Sequence, residues 1–219
     1  MELNSEMSFK QEFLRKEIIS IVKTFLESNN SFKLSTIIPY INANLSKRGI
    51  DVNHAGIKKV LQSLLKQKII VKGSKLTKKD ILRNKKRRRI YQHIRENPGI
   101  IYNKLLTGLD ISNYEVYWHL NMLKKFGFVQ MGKVQGHTTF YAIDSPPNDL
   151  KVEFLKNRKS SKKILDYLRK NNIGVTKTQI SEDLSMHFNT VVKYLKLLED
   201  SELITREKIS NKHLYFLNN

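Results

Sequence analysis

Apolar residues recur at helical spacing along this chain, and one pattern of them comes twice in the same order. The stretch Ile100 to Val129, IIYNKLLTGLDISNYEVYWHLNMLKKFGFV, aligns without a gap on Val175 to Ile204, VTKTQISEDLSMHFNTVVKYLKLLEDSELI. Leu105 falls on Ile180, Leu109 on Leu184, Val116 on Val191, Leu120 on Leu195, Leu123 on Leu198 and Phe128-Val129 on Leu203-Ile204. Val116, Leu120 and Leu123 stand at i, i+4 and i+7, which predicts one buried helix face. Leu105 and Leu109 predict a shorter helix before it, with Asp110-Ile111-Ser112 as a turn that ends in an N-cap. An earlier helix precedes each pair, marked by Ile90 and Ile94 in one copy and by Ile164, Leu165 and Leu168 in the other. Asn97-Pro98-Gly99 stops the first of these, and Asn171-Asn172 with Gly174 the second.

Two short alternating runs follow each third helix. Val129–Val134 and Thr139–Ile143 flank Gln135-Gly136-His137, and Ile204–Lys208 and Leu214–Leu217 flank Ser210-Asn211, so each copy ends in a β-hairpin. Three helices and a hairpin is the winged-helix plan, whose third helix fits a DNA major groove. A fainter copy lies earlier, in NHAGIKKVLQSLLKQKII from Asn53 to Ile70, with Ile57, Leu61, Leu64 and Ile69-Ile70 in register. Before it, Phe13 to Leu26 predicts an amphipathic helix and Ile37 to Leu45 a second one, broken near Pro39. Its hairpin is truncated, because Ile70–Lys75 has no clear return strand. The expected fold is mainly α with small β-hairpin wings (α+β), in three tandem winged-helix modules over 1–76, 77–147 and 148–219. The linkers differ. Thr77 to Arg89, TKKDILRNKKRRR, has no Gly or Pro and predicts a helix continuous with the first helix of the middle module, whereas Asp144–Asp149, DSPPND, predicts a hinge.

Charge narrows the function. The 219 residues carry 40 Lys and Arg against 20 Asp and Glu, a formal net charge of +20, which calls for a polyanion, nucleic acid first and an anionic membrane surface second. With no cysteine, disulfides, thiolate catalysis and Cys-ligated zinc are excluded. Met1–Glu6 is acidic and is read as no signal peptide, and no apolar run reaches the length of a membrane span. A cytoplasmic protein is expected, nucleoid-associated if it binds DNA. No phosphate loop, G-x-S-x-G, dinucleotide fingerprint or carboxylate cluster is present, so neither an enzyme nor a cofactor is expected, and the histidines lack metal spacing.

The middle module resembles the ArsR-like winged-helix regulators of archaea. Val116, His119, Leu120, Leu123, Gly127, Phe128 and Val129 carry the likeness, which extends over roughly residues 85–219 and implies a winged-helix fold and DNA binding. Three departures stand out. Glu115 occupies the usual Ser or Thr position on the expected DNA surface, where a carboxylate repels phosphate but can accept from a cytosine amino group. Lys68 and Glu202 replace the glycine matched by Gly127, so those helix ends are expected to differ. The metal-sensing cysteine pairs are missing.

The DNA-contact candidates follow from the faces. On the middle recognition helix (Ser112–Phe126) they are Asn113, Tyr114, Tyr117, Asn121 and Lys124, since Asn can pair with adenine and Tyr and Lys reach phosphates. Tyr117 and Trp118 serve equally well as packing. In the last module they are Asn189, Thr190, Lys193 and Lys196, next to His187. The hairpins add Lys133, His137, Lys208 and Lys212. The run Lys85, Lys86, Arg87, Arg88 and Arg89 is the densest phosphate-binding candidate, and Lys162 and Lys163 belong to a second basic cluster. His119 reads as a hydrogen-bonded structural histidine. Double-stranded DNA is the expected partner, with a homodimer through residues 1–76. The other reading is a protein-interaction subunit of tandem winged helices, as in ESCRT-II, general transcription factors or polymerase-associated subunits.

Overall fold

A computed structural model describes residues 2–30 and 32–218, with side chains described from residue 10 onward. The acidic Met1–Glu6 stretch therefore lies outside the described side chains. The chain is mainly helical, with two small antiparallel sheets. In order, the elements are α1 (Glu2–Ser28), α2 (Leu34–Lys47), α3 (His54–Lys66), α4 (Lys78–Ile81), α5 (Lys85–Glu96), β1 (Ile100–Ile101), α6 (Tyr102–Gly108) and α7 (Asn113–Lys125). There follow β2 (Val129–Val134), β3 (His137–Ala142), α8 (Leu150–Lys156), α9 (Lys159–Lys170), α10 (Lys177–Asp183), α11 (Phe188–Glu199), β4 (Ile204–Ile209) and β5 (Lys212–Leu217). The chain divides into two compact units. One holds residues up to 89 with Tyr114–Phe128; the other holds Ile90–Asn113 with residues 129–219.

In the first unit, α1, α2 and α3 enclose a core of Ile18, Ile21, Val22, Ile37, Ile41, Leu45, Ile57, Leu61 and Leu64, all essentially sealed from solvent. Each of these side chains contributes roughly 1.5–3 kcal/mol by leaving water. The expected break at Pro39 is absent, and α2 runs through it. Pro39 removes only the bond to the carbonyl of Ser35, and both residues are exposed, so water satisfies that carbonyl. After α3 a single isolated antiparallel bridge joins Ile70 to Thr77.

The linker 77–89 is not one helix. Thr77 and Asp80 form a capping box that starts α4, and the Asn84 Oδ1 accepts the Arg87 amide at 3.0 Å to start α5 afresh. Two capping side chains seven residues apart offer the backbone a better arrangement than one continuous turn after turn.

The second unit is built on a core of Phe154, Leu155, Ile164, Leu168, Ile180, Val191, Leu195, Leu198 and Ile204. β1 and β2 flank β3, with Ile100 opposite Phe140 and Met131 opposite Phe140 on its other side. The turn Gln135-Gly136 has φ of 49° and 77°, the paired left-handed residues of a two-residue hairpin. β4 and β5 pair from Ile204–Leu217 to Ile209–Lys212. The expected hinge at Asp144–Asp149 lies inside this unit: Asn157 Nδ2 donates to the Pro98 carbonyl at 2.7 Å, and the His137 ring lies 5.6 Å from that of Phe154. Helix α8, which the composition did not announce, fastens the two sides of that loop.

The helix ends at Lys68, Gly127 and Glu202 do not differ. All three residues are left-handed, with φ of 55°, 69° and 55°. Behind them Ile69 donates to Leu64, Phe128 to Leu123 and Leu203 to Leu198, at 2.9, 2.9 and 3.0 Å. The same Schellman closure is made three times, twice without glycine.

Candidate nucleic-acid interface

In the first unit the exposed face of α7 is aromatic and polar. Tyr114, Tyr117, Asn121 and Lys124 follow one another at three- and four-residue spacing, opposite the buried Val116, Leu120 and Leu123. Tyr114 and Tyr117 are 77% and 61% exposed, so neither is a packing residue. Asn121 and Lys124 are half-buried, and the ammonium reaches the Asn121 Oδ1 at 3.4 Å. Glu115 is not a bare carboxylate on this face, since the Lys86 ammonium donates to its Oε1.

The basic run divides by helical phase. Lys85, Lys86, Arg88 and Arg89 are exposed. Arg87 is 2% exposed: its Nη1 donates to the Ile81 carbonyl at 2.9 Å and its guanidinium lies 5.2 Å from the centre of the Trp118 ring. Burial lowers its pKa from the ordinary value. Arg87 is therefore withdrawn from the set of phosphate contacts. The signal was in the sequence: Arg87 precedes Ile90 by three and Tyr91 by four, so it continues the apolar stripe of α5 toward its N-terminus. Arg88 Nε donates to the Leu82 carbonyl at 3.0 Å while its side chain stays at the surface.

His119 is buried, and its Nδ1 has no hydrogen-bond partner, contrary to the hydrogen-bonded histidine expected. Burial, with the neighbouring positive charges of Arg87 and Lys86 outweighing Glu115, lowers its pKa. The neutral ring packs edge-to-face with Trp118 at 5.0 Å.

In the second unit α11 repeats the two-faced arrangement. Val191, Leu195 and Leu198 are buried, whereas Asn189, Lys193 and Lys196 are exposed and Thr190 is half-buried. His187 caps the helix, its Nδ1 accepting the Asn189 amide at 3.2 Å. The preceding α10 starts with a capping box of Thr176 and Gln179, and the Lys177 ammonium sits 5.3 Å over the Phe188 ring. Phe188 and Val192 are both 40% exposed beside the lysines, a pair of exposed apolar residues that charge and hydrogen-bonding arguments passed over. The β4–β5 hairpin presents Lys208 and Lys212 to solvent, and the β2–β3 hairpin presents Lys133 and His137. Lys162 and Lys163 are exposed in the first turns of α9. Asn113 is exposed at the start of α7, and the Tyr102 hydroxyl donates to its Oδ1 at 2.6 Å.

Residues 84–149 match the model of a family described as an N-terminal HTH domain, HTH_HVO_0163_N. The helix-turn-helix likeness thus covers the α5-to-β3 segment, including the basic run and the Tyr114–Lys124 face. Over 143 residues, 65% of this chain, the sequence is 31% identical to an uncharacterized HTH-type transcriptional regulator of Methanocaldococcus jannaschii. The chain covers only 36% of that protein's length. Two solved structures align with 99% of this chain and 92% of theirs: the crystal structure of the endosomal complex ESCRT-II (VPS22/VPS25/VPS36), at 16% identity and TM-score 0.26, and the structure of the ESCRT-II endosomal trafficking complex, at 15% and 0.24. Likeness at those scores bears on neither fold nor function. Among the described residues no helix is long and apolar enough to cross a membrane, and no cluster of His, Asp and Glu could hold a metal ion.

Proposed function

We propose that the chain is a double-stranded-DNA-binding transcriptional regulator that acts without catalysis. It would be built from three winged-helix modules of the ArsR-like kind over 1–76, 77–147 and 148–219. The observation that carries this reading is the two-faced third helix. In both α7 and α11 an apolar stripe is buried, the opposite face offers Asn and Lys, and a lysine-bearing hairpin follows at once. That order supports entry of the helix into a major groove, with the hairpin along the flanking backbone. The HTH match over 84–149 and the HTH-type regulator that resembles this chain support the same conclusion. The phosphate contacts would then come from Lys85, Arg88, Arg89, Lys193, Lys196, Lys208 and Lys212, and the base contacts from Asn121 and Asn189. The first module, with its wing reduced to one bridge, is the element we assign to pairing with a second copy.

The test is fluorescence anisotropy of the full chain with labelled duplex of random sequence, at several salt concentrations. Each phosphate contact contributes a slope of about −0.9 in log K against log salt. The double variants Lys193→Gln/Lys196→Gln and Lys208→Gln/Lys212→Gln should each flatten the slope by about 1–2. No binding to duplex even at low salt would end this reading and turn attention to protein partners.

A further inference from the structure

The second unit contains a cavity of about 510 Å³ whose lining has a chemistry of its own. Its apolar part is made by Ile101, Phe154 and Tyr194, and its polar part is cationic, with Lys104, Arg158, Lys159 and Lys162. No Asp or Glu is among the described lining residues. The volume lies in the range of small-molecule pockets, roughly 300–1,000 Å³.

The walls are held in place by close approaches. Gly99, at φ +82°, lies so near α8 that a Cβ there would stand 2.7 Å from the Phe154 amide nitrogen. Gly108 lies against His93, where a Cβ would stand 2.6 Å from Nε2. The Arg158 guanidinium lies over the Phe154 ring, 5.4 Å from its centre, which fixes one charge of the lining. Arg158 is also the N-cap of α9 and supplies no side-chain acceptor to its first amides. Those donors and the flanking cations share one polarity.

A duplex backbone is convex and has no group that would fill an apolar recess of this kind. We propose that the cavity binds a small organic oxyanion, its phosphate or carboxylate held by Lys104, Arg158 and Lys162 and its planar or apolar remainder seated on the half-buried Ile101 and Tyr194. Lys162, read from the sequence as a phosphate contact for DNA, would here serve a different anion. Tyr194 belongs to α11, so a bound molecule touches the helix that carries the candidate contact face of this unit, the position of an effector. The proposal does not rest on the nucleic-acid reading and survives its failure.

The test uses the full chain, with amide NMR of Gly99 and Gly108 and calorimetry as readouts. The probes are AMP for phosphate and 2-naphthoate for carboxylate, with adenosine and inorganic phosphate as half-ligands. At least one of the two whole probes should move both glycine resonances saturably, and the stronger identifies the oxyanion. Each half-ligand of AMP should bind at least about tenfold more weakly than AMP if AMP is the better probe. Lys104→Gln/Lys162→Gln, both changes at exposed side chains, should weaken binding by about tenfold or more. Lys47→Gln/Lys66→Gln, which removes the same charge from residues outside the lining, should leave it as it was. Glycine resonances unmoved by both probes, or equal losses in the two double variants, would overturn the proposal.

Discussion

Arg87 holds its guanidinium 5.2 Å from the centre of the Trp118 ring while donating to the Ile81 carbonyl at 2.9 Å. One residue of a five-residue basic run thus fastens α4 and α7 rather than meeting solvent. Removing it orphans a buried carbonyl and strips a cation from an aromatic face. Arg87→Ala should therefore cost about 2–4 kcal/mol in denaturant unfolding. Arg87→Lys should recover little, because an ammonium lacks the planar fork. Arg89→Ala should stay within about 0.5 kcal/mol. Similar losses at Arg87 and Arg89 would refute the division of labour.

Glu115 tests the α7 face. Its carboxylate is engaged by Lys86 at the surface, where such a pair contributes little to stability, about 0–1 kcal/mol. Glu115→Gln should leave the unfolding midpoint nearly unchanged. It should tighten binding to duplex DNA at low salt and steepen the salt slope by up to about 1, as Lys86 becomes available to a phosphate. Weaker binding would mean that Glu115 contributes a contact of its own.

The three Schellman ends give a backbone prediction. Lys68 and Glu202 hold φ of 55°, a conformation that costs an L-residue about 1–2 kcal/mol. Glycine removes that strain but adds about 0.4–1 kcal/mol of unfolded-state entropy. Glu202→Gly should raise stability by roughly 0.5–1 kcal/mol. Gly127→Ala should lower it, because a Cβ there would stand 2.8 Å from Lys68 Cδ in addition to the left-handed φ of 69°. A destabilised Glu202→Gly would contradict the account.

Two groups set the acid limb of stability, in separate windows. Burial lowers the pKa of His119, and Arg87 adds to the effect. The unfolded chain therefore binds a proton that the folded one resists, and stability falls as pH drops below the ordinary histidine value of about 6.5. His119→Phe should flatten the profile there. Burial raises the Asp80 carboxyl, but hydrogen bonds from the Thr77 hydroxyl and amide, with the Lys23 ammonium at 3.0 Å, outweigh it and bring the pKa to about 2. That stabilisation, on the order of 1 kcal/mol after solvent screening, is present above about pH 4 and is lost as pH falls toward 2. Urea midpoints of wild type, His119→Phe and Asp80→Asn across pH 3 to 8 resolve the two. An unchanged slope between pH 5 and 7 in His119→Phe would remove histidine from the account.

Much of this could be read from the chain because it rests on local periodicity. The gapless repeat located α6, α7, α10 and α11, the buried Val116, Leu120, Leu123, Val191, Leu195 and Leu198, and both hairpins, since burial of a helix face and pairing of two adjacent strands depend on spacing a few residues long. The faces bearing Asn and Lys followed by subtraction. What depended on the partner that each group finds was missed, although Arg87 stood in phase with Ile90 and Tyr91. Pro39 stays inside a helix because Ser35, whose carbonyl it frees, is an exposed residue. The 77–89 linker breaks because Thr77, Asp80 and Asn84 each find a backbone partner. Arg87 turns inward because Trp118 and the Ile81 carbonyl wait there, and Glu115 is neutralised because Lys86 is within reach. The cavity lined by Lys104, Arg158 and Phe154 joins residues some fifty positions apart, a juxtaposition that no window of sequence contains and that only the packing of α8 against the 97–99 turn creates.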